Sequence, residues 1–274
     1  MKQDSFLYHP RHYKNIELWK DVTEEQWNNP EWQLRNSIRT VEQLKKVIHL
    51  NAHQEKEIKR TLESLHKEGK DAMRITPYYA SLMQEDPFHP VMLAGEKSYK
   101  RLDPIFWQSV PTPANLLFPN TGVEGAMDEA SRCFGAAYQR YPNRVALFVA
   151  ENTSCASYCI HCQRAKSLDK TVDVNTLEIN KGLFYIAQNK NINEVLVTGG
   201  DALMIGKNRL RYILEELGKI SHLRVIRIAS RVPVVLPMLI TDELLHLINE
   251  SANKYSKGID KYVYFMTHIN HYQE

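Results

Sequence analysis

From residue 144 onward, short apolar runs alternate with amphipathic stretches, and this alternation leaves few architectures open to the chain. The runs are 145–150 (VALFVA), 194–198 (EVLVT), 225–230 (VIRIAS) and 262–267 (YVYFMT). Each is short and rich in β-branched or aromatic residues, which predicts a buried strand. Between them the spacing predicts helices near 175–189 and 208–219, the second with Leu210, Ile213, Leu214 and Leu217 on one stripe, and a third opened by Thr241. Apolar strands separated by amphipathic helices predict parallel βα units, because the crossover helices cover the sheet. There is no internal repeat. Four such units do not close a barrel. The last predicted strand ends shortly before Glu274, so the sheet is expected to keep an unpaired edge and the chain reads as cut short.

The preceding region has a different texture. Thr40-Val41-Glu42-Gln43 is a capping box that predicts a helix with Val41, Leu44, Val47 and Ile48 inward. A second helix is expected from Asn51, with Ile58, Leu62 and Leu65 on one stripe and Gly69 as its stop. Over 74–122 the prolines at 77, 87, 90, 104, 111, 113 and 119 predict an irregular wrapping segment. The expected division is therefore a helical and irregular region over 1–139 and an α/β region over 140–274.

The 274 residues, 43% of them hydrophobic, suffice for one large core or two small ones. A net charge of +3, with both signs mixed along the chain, excludes the basic stripe of a nucleic-acid binder. No apolar run is long enough to span a bilayer, and the opening MKQDSFLYHPRHYK lacks the apolar core of a signal peptide. The expectation is a cytoplasmic protein with neither nucleic-acid nor membrane partners.

Of the four cysteines, Cys155, Cys159 and Cys162 crowd into one loop after a predicted strand. A disulfide framework would spread an even set through a small secreted chain, so ligation of a metal or cluster is the better reading. Three thiolates can hold three irons of a four-iron four-sulfur (4Fe-4S) cluster and leave the fourth iron open to a small molecule. The alternative is a structural zinc site, with His161 or a distant histidine as fourth ligand. Zinc sites usually come as paired two-residue knuckles, which this spacing does not match. Cys133 lies apart and reads as a small buried apolar side chain.

The loop CASYCIHCQR resembles the cluster loop of the lysine 2,3-aminomutase family of radical S-adenosylmethionine enzymes. WQLRNSIRTVEQLKKVI (32–48), ITPYYASLM (75–83), RYPNRV (140–145), VLVTGGDAL (195–203), IRIASRVPVVLP (226–237) and THINH (267–271) match in order, covering nearly the whole chain as the family's N-terminal portion. The resemblance implies the first four βα units of a partial (β/α) radical-SAM barrel behind a helical N-terminal region. It implies three cofactors: a 4Fe-4S cluster on Cys155, Cys159 and Cys162, S-adenosylmethionine, and pyridoxal 5'-phosphate carrying the substrate amino group. The implied reaction moves that group from the α- to the β-carbon of a free amino acid, L-lysine first, glutamate or arginine next. Implied partners are the small-molecule amino acid, a flavodoxin- or ferredoxin-type electron donor, and further copies of the full-length chain as a homo-oligomer.

Carried over by position, Gly199, Gly200 and Asp201 match the family turn that meets the S-adenosylmethionine amino group, where glycine allows close backbone approach. Ser230, Arg231 and His268 match further S-adenosylmethionine contacts. Arg164 matches an arginine that binds the substrate carboxylate, a task suited to a planar bidentate donor. Arg140, Tyr141 and Arg144 match pyridoxal-phosphate contacts. All these motifs are expected at the C-terminal strand ends, where barrel sites gather. Without the resemblance, the glycine pair could be any strand-to-helix turn, the arginines solvated charges, and His268 and His271 polar loop residues. Ile160, Ala165 and Lys166 stand where relatives carry arginine, so the substrate could differ from lysine. The relatives' cofactor-binding lysine is expected beyond residue 274. The competing functions are a radical enzyme acting on a protein lysine and a non-catalytic zinc-stabilised binding module.

Overall fold

The computed structural model describes residues 11–67, 73–88, 103–113, 131–150, 155–159, 174–256, 260–271 and 273–274. Within them one sheet runs in the order β1 (Ser131–Phe134), β2 (Ala137–Tyr141), β3 (Arg144–Phe148), β4 (Glu194–Thr198), β5 (Val225–Ala229) and β6 (Tyr262–Met266). Strands β3 to β6 are parallel neighbours, and they are the four apolar runs of the sequence. Helices Thr176–Gln188, Lys207–Lys219 and Asp242–Asn253 lie between them in the chain. The α/β expectation and its parallel register therefore hold.

Alternate strand residues make the core. Val145 and Leu147, Val195 and Val197, and Ile226 and Ile228 are all buried. So are Leu210, Ile213, Leu214 and Leu217 of the helix Lys207–Lys219, the stripe expected from their spacing. Each such side chain removed from water contributes about 1.5–3 kcal/mol before conformational entropy is counted. The last two helices pack closely at Gly218, where a Cβ would lie 2.7 Å from the Ala252 carbonyl oxygen. Asn175 and Thr241 cap their helices by accepting from the Glu178 and Leu244 amides.

Two expectations need correction. The region before residue 140 is not purely helical and irregular: β1 and β2 form an antiparallel meander with β3, Ala137 opposite Leu147 and Tyr138 opposite Ala146. The segment AYQRY is half-exposed and polar, so it carries no continuous apolar run, and pairing with β3 makes it a strand. The proline-rich stretch also contains helices, Pro77–Ser81 and Pro104–Ser109, each with proline in its first turn. There the missing N–H is not needed and the fixed φ suits the helix, so these prolines start helices instead of breaking them.

The helices of the N-terminal region are capped by their own side chains. Thr40 and Gln43 form the capping box, and Asn51 and Gln54 exchange side-chain and backbone bonds at the start of Ala52–Lys67. Ile38 and Ile75 pair in an isolated antiparallel bridge. Next to it, the Thr76 hydroxyl donates to the Val235 carbonyl, fastening this segment to the short helix Val232–Val235 beyond β5. No described helix is long and apolar enough to cross a membrane.

Candidate active site

The site is built at the C-terminal ends of β4 and β5. After Thr198 the chain turns through Gly199 (φ 92°) and Gly200 (φ 51°), conformations that side-chain-bearing residues rarely adopt. This turn swings Asp201 under the end of β5. Its carboxylate accepts from the Leu203 amide (3.0 Å), the Ser230 hydroxyl (2.6 Å) and the Arg231 amide (2.8 Å). Ser230 in turn accepts from the Val232 amide at 3.0 Å. Burial pushes the Asp201 carboxyl upward, and the Ser230 hydroxyl and backbone donors pull against that shift.

Arg231 is buried and extends from this knot toward the cysteine loop. Its Nη1 donates to the Cys159 sulfur at 3.0 Å. Its Nη2 donates to the Tyr79 hydroxyl (2.6 Å) and the Glu274 carboxylate (3.2 Å). The guanidinium carbon sits 4.8 Å from the centre of the Tyr79 ring, a cation–π contact. Burial works against the charge, but the Cys159 sulfur, Tyr79 and Glu274 outweigh it and raise the Arg231 pKa. Tyr79, wholly buried, is driven far above the usual phenol range by desolvation, with Glu274 adding to the shift and Arg231 opposing it. His268 lies close enough for the Arg231 charge to matter: burial first, then Arg231, lowers its pKa.

The cysteine loop is held from the N-terminal region. Arg74 Nη1 donates to the Cys155 carbonyl at 2.9 Å, and the Arg74 carbonyl accepts from the Ser157 hydroxyl and the Tyr158 amide. Cys155 and Cys159 are partly buried and form no disulfide. Cys162 and Arg164 lie outside the described residues. Among the described residues, no three His, Cys, Asp or Glu side chains gather tightly enough to hold a metal.

Of the residues named from the sequence, Cys159, Asp201, Ser230 and Arg231 meet at one rim, with Gly199 and Gly200 forming the turn and His268 nearby. Arg140, Tyr141 and Arg144 do not join them, which corrects the expectation that all the motifs share the C-terminal strand ends. Arg144 is the first residue of β3, and Arg140 and Tyr141 end the antiparallel β2, so all three stand at the opposite end of the sheet. Five residues of strand separate the two ends, about 17 Å. There Arg144 pairs with Glu194 (3.4 Å), which also pairs with Arg227 (3.0 Å).

Sequence reasoning named no site role for Arg74, Tyr79 or Glu274. Tyr79 lies in ITPYYASLM, a segment matched to the family without any of its residues being given a task, and only its distance to Arg231 reveals one.

No family model matches the chain. It is 38% identical over 243 residues to the L-lysine 2,3-aminomutase of Bacillus subtilis (strain 168), covering 88% of this chain and 47% of that protein. It is 36% identical over 264 residues to the L-lysine 2,3-aminomutase of Clostridium subterminale, covering 95% of this chain and 56% of that protein. The glutamate 2,3-aminomutase of Clostridioides difficile (strain 630) is 33% identical over 253 residues, covering 92% and 53% respectively. The chain spans about half the length of the curated relatives it matches.

Proposed function

Since the chain belongs to the lysine 2,3-aminomutase family, we propose that the protein carrying it is a radical S-adenosylmethionine isomerase. It moves an amino group from the α- to the β-carbon of a free amino acid, with L-lysine as the first candidate substrate and glutamate or arginine next. The convergence of Cys159, Asp201, Ser230 and Arg231 on one strand-end rim supports this reading, because cluster thiolates and the small-molecule contacts of this chemistry must lie side by side.

The residues at the rim fit the cluster and S-adenosylmethionine. Arg231 donates to a cysteine sulfur, as suits a thiolate, and its buried Nε has no hydrogen-bond partner among the described residues, leaving a donor for a further acceptor. Cys155, Cys159 and Cys162 would hold the cluster, which supplies the electron that cleaves S-adenosylmethionine to a carbon radical. Gly199 and Gly200 would bring backbone close to the methionine end, with Asp201 holding Ser230 and the Arg231 backbone in place. His268, kept neutral by burial and the Arg231 charge, would act as a hydrogen-bonding partner there.

Arg140, Tyr141 and Arg144, at the other end of the sheet, do not fit the pyridoxal-phosphate role: they stand about 17 Å from the rim, and Arg144 is paired with Glu194. Pyridoxal phosphate, whose conjugated ring delocalises an unpaired electron next to the substrate nitrogen, would have to be held by other residues nearer that rim. Arg164 would take the substrate carboxylate. A flavodoxin- or ferredoxin-type donor, a cytoplasmic location and a homo-oligomeric full-length protein complete the proposal.

Anaerobic reconstitution with iron and sulfide, followed by reduction with S-adenosylmethionine present, tests the radical step. The expected product is 5′-deoxyadenosine, lost in Cys159→Ala because two thiolates hold a four-iron cube poorly. A protein that stays colourless and binds zinc instead would replace this proposal with a zinc-stabilised module. Mass spectrometry of the full-length protein with pyridoxal phosphate and either L-lysine or L-glutamate then identifies the β-amino product.

A further inference from the structure

We infer that Arg231 is a hydrogen-bond donor to the cluster-bearing sulfur of Cys159, and that Tyr79 is a positioning residue holding it there, so that the pair helps set the reduction potential of the cluster. The inference rests on the reading of Cys155, Cys159 and Cys162 as cluster ligands and adds a role for the segment before the sheet.

The Arg231 head group has little freedom to do otherwise. Its backbone N–H is anchored on Asp201. One side of the fork is taken by Tyr79 and Glu274, and the Tyr79 ring lies against its face. This leaves Nη1 aimed at the Cys159 sulfur at 3.0 Å. Tyr79 is itself immobilised. It is completely buried, it sits in a helix capped by Thr76, and the Thr76 hydroxyl bonds to the Val235 carbonyl beyond β5. The same segment holds the cysteine loop through Arg74. Sulfur and guanidinium therefore face each other across two elements that one N-terminal segment ties together.

Hydrogen bonds to cluster sulfurs, local charge and solvent exposure set iron–sulfur potentials. A buried guanidinium pointing at a ligand sulfur withdraws electron density and stabilises the more negative, reduced cluster. Removing it makes the cluster harder to reduce. Tyr79 contributes no formal charge, and its hydroxyl accepts from Arg231 and donates to the Glu274 carboxylate, so it acts by placing both partners of the fork. Phenylalanine would keep the ring and its cation–π contact while loosening the fork.

The test is a midpoint-potential titration of the reconstituted full-length protein, followed by electron paramagnetic resonance in the absence of S-adenosylmethionine. Arg231→Gln is expected to shift the midpoint to more negative potential. Arg231→Lys, which keeps the charge but cannot serve both Tyr79 and the sulfur, should fall between it and the wild type. Tyr79→Phe should give a smaller shift in the same direction. Iron content separates the two levels of failure. A wild-type protein that assembles no cluster overturns the cluster reading itself. Four irons per chain with potentials unmoved in Arg231→Gln overturns only this inference. Where Arg231→Gln does not fold, unmoved potentials in Arg231→Lys and Tyr79→Phe overturn it equally.

Discussion

Strands β5 and β6 lie side by side in one parallel register, VIRIA against YVYFM, yet they meet opposite environments. Ile226 and Ile228 of β5 are completely buried, whereas Tyr262, Tyr264 and Phe265 of β6 are 63%, 52% and 40% exposed. Strand β5 has a hydrogen-bonded neighbour on each side, and its end carries the Ser230–Arg231 knot. Strand β6 is the last strand of the sheet order. Residue type makes both of them strands. Neighbours decide which one is core, and a functional site can be built only where neighbours converge.

The sharpest way to break this comparison uses a register pair, Ile228 opposite Phe265. Ile228→Ala should lower the unfolding free energy by about 3.5 kcal/mol, within the range for a buried isoleucine truncated in a core that only partly collapses. Chemical denaturation of the chain measures it. Asp201→Ala should come next at about 3 kcal/mol, because the Ser230 hydroxyl and the Leu203 and Arg231 amides then lose a buried acceptor, at roughly 1–3 kcal/mol for each group left fully unpaired. Its effect on β6 residues should be small when followed by amide hydrogen exchange, since the bonds it breaks join β4 to β5.

Thr241→Ala removes the cap of Asp242–Asn253 and should cost about 1 kcal/mol, restored in large part by Thr241→Asn. Phe265→Ala should cost only about 0.5 kcal/mol, as for an exposed site. A loss in the full-length protein as large as that of Ile228→Ala would mean that β6 is covered there. The smallest effect is expected from pH. Burial lowers the His271 pKa below the ordinary 6.5, so the neutral ring is preferred in the folded state. Its contribution is fully present above pH 6.5 and is lost as the pH falls through the lower folded value. His271→Gln should flatten the dependence of the unfolding midpoint on acidity between neutral pH and about pH 5, measured against the parent chain.

Local signals in the sequence were reliable wherever one element could be specified by its own residues. The capping box at Thr40 and Gln43, the Thr241 cap and the leucine stripe from Leu210 to Leu217 all appear as their spacing predicts. The turn at Gly199 and Gly200 was equally visible, since the need for positive φ leaves a mark in residue type. The β1–β2 meander was not visible. Gln139, Arg140 and Tyr141 carry no apolar periodicity, and only cross-strand partners on β3 give this stretch its conformation. Nor did the matched motifs reveal that Arg144 and Arg231 stand at opposite ends of the sheet, because motif order along the chain says nothing about which end of a strand each motif occupies.

By itself the sequence determined the four parallel strands and the helices between them, because periodicity and capping act over a few residues. Only the tertiary structure decided that Tyr79 and Arg231, 152 residues apart, share a hydrogen bond, that Asp201 joins β4 to β5, and that β6 faces outward. These are contacts whose partners are chosen by packing. A buried arginine needs acceptors on each side of its fork, and no local pattern specifies which distant residues will supply them.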